Sequence, residues 1–234
     1  VAAANPNTVV VLETGTATTM PWLDRVKAVV EAWYPGDQQG TALARLLYGD
    51  VNFAGRLPMT FPRSLVDTPT QTAAQYPGVA GTIRQVSYDE RLKVGYKWYD
   101  SQGIEPLYPF GYGLSYTTFA YDQLRVSGSG QRTVVSFEVR NTGTRTGSET
   151  AQLYLTLPAS TGEPGKRLVG FQQVTLQPGQ SRRIELVVDP RSPDHPLSYW
   201  NTAEHAWATA PGSYGVLVGG SSRSLPLTGA SQVG

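Results

Sequence analysis

The sequence predicts a two-part chain, α/β plus all-β, with an extended aromatic connector between the parts. Three observations predict it. A continuous β-branched run, Thr8–Leu12, has the pattern of a parallel strand covered on both faces. Aromatic residues crowd between Tyr76 and Tyr116 among prolines that interrupt any long helix. Beyond residue 117, short strands alternate apolar and polar positions between Gly/Pro turns. The chain has 234 residues, and at roughly 150 residues per domain this is about one and a half domains.

The first segment is residues 1–62. Glu13-Thr14-Gly15 turns the chain after the strand. A helix is expected from Pro21, which suits a first helical position, with Trp22, Leu23, Val26, Val29, Val30 and Trp33 on one face. Tyr34-Pro35-Gly36 ends it. Asp37 is placed to cap a second helix with Leu43, Leu46 and Leu47 as its stripe and Gly49 as its stop. One doubly buried strand and two helices cannot satisfy the strand's backbone groups. The segment is therefore expected to be the C-terminal part of a larger domain whose earlier strands lie outside this sequence.

Residues 63–116 have weak periodicity, many turn residues and prolines at 69, 77, 106 and 109. A stretch of this length without regular structure is usually functional or a packed connector. Its aromatic density argues against a loose linker and for a tether that packs across its neighbours. Residues 117–234 form the all-β part. Val135, Phe137 and Val139 share one face of a strand; Ala151, Leu153 and Leu155 alternate with Gln152, Tyr154 and Thr156. Further strands are expected at 167–176, 181–189, 212–219 and 222–227. About seven short strands fit an immunoglobulin-like sandwich.

Composition narrows function by exclusion. The net charge is +1, with no block of like charges, which argues against nucleic acid or an anionic membrane as partner. No apolar run reaches the length of a membrane span, and the N-terminus lacks a signal-peptide layout. Cysteine is absent, so disulfide scaffolds, thiolate zinc sites and cysteine nucleophiles are excluded. The two histidines, His195 and His205, lie in loop-like sequence and read as surface residues rather than triad members. Gly111-Tyr112-Gly113 lacks the context of a phosphate loop.

Among the carboxylates Glu13 is best placed, because ligands gather at the carboxyl ends of parallel strands. A general acid is the sharper role for it and a solvated loop carboxylate the plainer one. Asp50 reads as a turn or capping residue. Arg56 either holds its turn or binds a ligand. Trp98, Tyr99, Tyr108 and Tyr112 either stack on sugar rings or pack between domains.

A set of ordered motifs adds to this reading. Asn5-Pro6-Asn7-Thr8 through Leu12, Met20-Pro21-Trp22, and Glu31-Ala32-Trp33-Tyr34-Pro35-Gly36 resemble the second domain of glycoside hydrolase family 3 β-glucosidases. Gly49-Asp50-Val51-Asn52, Gly55-Arg56-Leu57-Pro58-Met59-Thr60-Phe61-Pro62, Val94–Asp100 and Glu105–Phe119 continue the resemblance in order. The β-rich remainder is similar to the fibronectin type III-like domain that closes many of these enzymes. Phe53-Ala54 stands where proline and serine are common. Arg91 and Lys93 stand where glycine and an aromatic are usual, a change that bears on aglycone preference.

The resemblance implies the C-terminal portion of a retaining exo-acting β-glycosidase, a β-glucosidase first, hydrolysing terminal non-reducing β-D-glucosyl residues. It implies a partner, the N-terminal part with a TIM-barrel-like domain and the first half of the α/β sandwich. The nucleophilic aspartate and the acid/base glutamate of the family match no position here, so no catalytic residue is expected in this chain. The turn at Glu13 and Thr14 is the candidate for substrate proximity. Neither cofactor nor metal is expected, and a secreted or periplasmic location is favoured over the cytoplasm. The competing reading is a non-catalytic carbohydrate-binding or adhesion module built on the β-sandwich.

Overall fold

The computed structural model describes residues 1–81, 83–129 and 132–234. Strand β1 (Val9–Leu12) is followed by a second strand, β2 (Ala28–Glu31), and the two pair in parallel, Val9 opposite Ala28 and Leu12 opposite Glu31. The helix expected from Pro21 is therefore absent. A single 3-10 turn, Leu23–Arg25, precedes β2, and the stiff β-branched Val29 and Val30 join the ladder instead of a helical face. The ladder is extended at both ends, by Lys27 N to Thr8 O at 2.9 Å and Ala32 N to Leu12 O at 2.8 Å. Among the described residues β1 pairs only with β2. Nor is β1 doubly buried: Val9 is 45% exposed and the other three residues are half-buried.

Helix α1 (Gln39–Leu47) has the expected stop. Gly49 adopts φ +84, a left-handed value that glycine takes freely, and donates to Leu46 O at 3.2 Å. Asp37 does not cap the helix; Gln38 precedes it with no side-chain cap bond. In the connector, α2 (Tyr96–Gln102) is a short helix that the weak periodicity concealed, flanked by Gly95 and Gly103 at φ 54 and 64.

The β-rich part contains β3 (Phe119–Ser129), β4 (Arg132–Asn141), β5 (Gly147–Thr156), β6 (Lys166–Leu176), β7 (Ser181–Val188), β8 (Ser198–Asn201), β9 (Ala206–Thr209), β10 (Gly212–Gly219) and β11 (Leu227–Val233). Two sheets, in order β11-β10-β5-β6 and β3-β4-β7, face each other, and β8-β9 is a separate hairpin. Val135, Phe137, Val139, Leu153, Leu155, Ile184, Val216 and Val218 fill the space between the sheets. Strand β3 has no counterpart among the expected strands. The last strand begins at Leu227, five residues later than expected. Gly220 N bonds Ser224 O at 3.1 Å to close a turn there, and Pro226 has no N–H for a ladder.

The alternation in β5 predicts one wet face, yet Gln152 and Tyr154 are buried as deeply as Leu153. The connector causes this. Tyr96 meets the Tyr154 ring edge-on at 5.8 Å, and Gln152 Nε2 donates to Gly111 O at 3.2 Å. Gly111 takes φ +80, a conformation that favours glycine, and a Cβ there would also lie 2.3 Å from the Gln152 amide oxygen. Among the described residues no helix is long and apolar enough to cross a membrane.

Candidate functional site

Parallel pairing brings the carboxyl ends of β1 and β2 side by side, where outward-turning loops can present polar groups. Glu31 ends β2 and organises this edge. Its Oε1 accepts from Trp33 N at 3.0 Å and its Oε2 from Thr14 Oγ1 at 3.1 Å. Thr14 N lies farther off, 3.5 Å from Oε1, and Thr14 Oγ1 also lies 2.9 Å from Thr16 O. Charge-assisted bonds of this kind are worth about 1.5–3 kcal/mol each. They hold Trp33 at φ +54, a conformation that is an outlier for so large a side chain. Its ring then meets Phe61 edge-on at 6.1 Å.

The structure places the two sequence-derived candidates differently. Thr14 sits inside the Glu31 cluster. Glu13 is exposed and accepts a hydrogen bond from Gln39 Nε2, tying the end of β1 to the start of α1. Glu31, the residue that joins Thr14 to Trp33, escapes a reading that puts residue 31 in a helix. Read as a strand, Ala28–Glu31 would have made it the register partner of Leu12.

A cavity of about 460 Å3 opens beside this edge. Thr16 and Ala17 line it from the loop after β1, Met59 and Thr60 from the motif that follows α1, and Tyr96 and Tyr99 from α2. Glu13 and Thr14 do not reach it. Thr60 Oγ1 is buried with no hydrogen-bond partner among the described residues. Burial raises the Tyr99 hydroxyl above its ordinary value, the nearby Asp67 charge adding to the rise. A mostly apolar wall with a few hydroxyls suits a neutral, hydroxylated or apolar occupant.

Asp50 is exposed. The remaining candidates are bonded or packed within the protein. Arg56 reaches Glu149 in a buried ion pair whose side chains are 10% and 7% exposed, and Tyr121 OH donates to Glu149 at 2.6 Å. Trp98 Nε1 donates to Asp67 O at 2.9 Å, Tyr99 is buried, and Tyr108 stacks on Tyr112 at 5.2 Å. These four aromatics pack within the protein. Arg91 has φ 52, a left-handed conformation that glycine takes more freely than arginine. No group of three or more His, Asp or Glu close enough to hold a metal is present among the described residues.

Comparison with known proteins identifies the scaffold. The family model for the glycosyl hydrolase family 3 C-terminal domain matches residues 1–116, and that for a fibronectin type III-like domain matches residues 149–222. Probable beta-glucosidase I of Aspergillus niger is 41% identical over 93% of this chain. Beta-glucosidase B of Emericella nidulans is 40% identical over all of it. The chain spans only 27% and 28% of those two relatives' lengths. Among solved structures, DesR, a β-glucosidase from Streptomyces venezuelae in complex with D-glucose, superposes on the whole chain with a TM-score of 0.91 at 38% identity, the chain covering 30% of it. With both domain models in order along one chain and the same fold in a solved relative, the chain belongs to glycosyl hydrolase family 3.

Proposed function

We propose that this chain is the C-terminal portion of a retaining exo-acting β-glucosidase, removing terminal non-reducing β-D-glucosyl residues. The observation that carries the reading is identity of about two residues in five to β-glucosidases across nearly the whole chain. A retaining glycosidase needs two carboxyl groups about 5–5.5 Å apart, one nucleophile and one acid/base. In this chain Glu31 is committed to Thr14 and Trp33, Glu13 to Gln39, and Glu149 to Arg56 and Tyr121. Carboxylates held in this way serve the scaffold. As the resemblance to family 3 implies, both catalytic carboxylates come from an N-terminal part of the same enzyme, and this chain alone is inactive. The two-stranded parallel sheet supports that assembly, since parallel sheets are stable when more strands and covering helices are present.

Within the assembled enzyme, the Glu13–Thr16 loop borders the cleft and Thr14 positions substrate. The loop's place at the carboxyl ends of two parallel strands supports this role. An aryl β-glucoside assay tests the reading. The isolated chain leaves the glycoside intact, and the chain assembled with its N-terminal part cleaves it. Cleavage by the isolated chain would overturn the assignment of both carboxylates elsewhere. Thr14→Ala in the assembled enzyme raises KM by about three- to tenfold with kcat nearly kept, the size of one lost hydrogen bond. An unchanged KM removes the loop from the cleft.

A further inference from the structure

We propose that the β8-β9 hairpin carries a stacking platform for pyranose rings, taking β-linked gluco-oligosaccharides. Trp200 and Trp207 are direct partners across the hairpin. They remain 47% and 48% exposed, with ring centroids 5.6 Å apart and planes at 79°. The His195 ring lies flat on Trp207 at 4.5 Å and 17°. The three rings form a corner with one aromatic wall upright against another.

The base of the hairpin is rigid, as a preorganised site requires. Arg167 Nη1 donates to Ser198 O at 2.7 Å. The Tyr214 hydroxyl lies 2.8 and 3.0 Å from the carbonyls of Ala210 and Leu197, and Leu197 and Tyr214 are fully buried. His195 takes φ 48, a left-handed conformation that costs energy for a non-glycine residue. Packing of the sandwich does not need the two tryptophans, because the hairpin belongs to neither sheet.

Chemistry and area select the occupant. Two half-exposed tryptophans offer roughly 250 Å2 of surface, well below the roughly 800 Å2 per partner of a stable protein interface. That area matches one or two sugar rings. A β-glucosyl unit has equatorial substituents, so each face presents axial C–H bonds to an aromatic ring while its hydroxyls point to the rim. Neither Trp200 nor Trp207 Nε1 has a hydrogen-bond partner among the described residues, which leaves indole donors for those hydroxyls. Exposed Thr202 and Glu204 in the connecting turn add polar groups at the rim. The choice of a β-gluco ligand rests on the β-glucosidase reading; the stacking geometry does not.

The experiment is affinity electrophoresis of the full chain in gels containing laminarin, with calorimetric titration of cellohexaose. The expected result is retardation by the polysaccharide and at least about a fivefold weaker oligosaccharide affinity in W200A/W207A. Thermal melting should show that the double variant stays folded, since both rings are peripheral. Tyr48→Ala, which removes an exposed aromatic elsewhere, keeps full binding. Absence of retardation, or equal binding by W200A/W207A, overturns the proposal. A concentration-dependent dimer abolished by the double variant overturns it too, by making the corner a self-contact. Trp-dependent binding without β-glucoside hydrolysis by the assembled enzyme leaves the platform standing and removes the hydrolase reading. Hydrolysis without Trp-dependent binding does the reverse.

Discussion

Arg56 and Glu149 lie 93 positions apart in sequence and meet in a buried ion pair, with the Tyr121 hydroxyl on the second carboxylate oxygen. Removing one member of such a pair strands the other charge away from water. Arg56→Ala is therefore expected to cost about 3–5 kcal/mol in urea unfolding, whereas Arg140→Ala on the exposed surface should cost under about 0.5 kcal/mol. The same cluster gives a pH signature. Burial, then the Glu149 charge and hydrogen bond, hold Tyr121 protonated well above the ordinary tyrosine range. Burial does the same for Tyr154, helped by Tyr96 and Asp100. In the unfolded chain both ionise near pH 10. The folded state then binds more protons above that pH, so stability falls as pH rises from about 10 towards the raised values. Chemical denaturation between pH 8 and 11 should show this loss, and Tyr121→Phe should flatten the slope. At this scale the sequence singled out Arg56 in its Gly-Arg-Leu-Pro setting but left it between holding its turn and binding a ligand. It was silent about Glu149, because a carboxylate in a strand reads as solvent-facing until the neighbouring segment is known to cover it.

The strands and helices show where periodicity decides and where it misleads. Val135-Ser136-Phe137-Glu138-Val139 was legible because its apolar residues alternate in sequence and all three lie in the core, although Ser136 on the other face is buried too. Pro21–Tyr34 was not. Its apolar residues fit helical spacing, but pairing with β1 is a nonlocal fact, and β-branched valines favour it over the local pattern. The same error hid Glu31 and the strand-end cluster. Glu31→Ala should release Trp33 N and Thr14, raising amide exchange at both positions by about tenfold or more. The β1 and β2 ladder, with half-buried residues and a single pairing, should exchange at least about 100-fold faster than Leu153 and Leu155 of β5 in the isolated chain. Assembly with the N-terminal part should slow β1 markedly. An equal rate in both states would mean that no further strand adds to this edge.

Across the whole molecule, the family 3 segment and the β-sandwich are joined by more than the connecting backbone. Asn52 Nδ2 donates to Thr146 O at 3.0 Å and its Oδ1 accepts from Tyr116 N at 2.8 Å. Asp100 on α2 pairs with Lys166 and Arg223 of the sandwich. Tyr96 OH accepts from Leu168 N at 3.0 Å. These ties predict one calorimetric unfolding transition for the sandwich and connector together. Combining Asp100→Ala with Glu149→Gln should split that transition in two or lower its midpoint by about 5 °C or more. The two-part composition was readable from residue pattern, but the stitching was not, because each tie joins residues distant in sequence. The buried outer face of β5 has a consequence for anyone recombining these enzymes. A cut after residue 116 leaves Arg56 facing solvent and Asp100 without its lysine. A sandwich grafted from another source fits only if it brings its own counterparts of Glu149, Gln152, Lys166 and Arg223. The heritable unit for shuffling is thus the pair of domains with their seam, and the boundary drawn by sequence pattern is a poor place for a crossover.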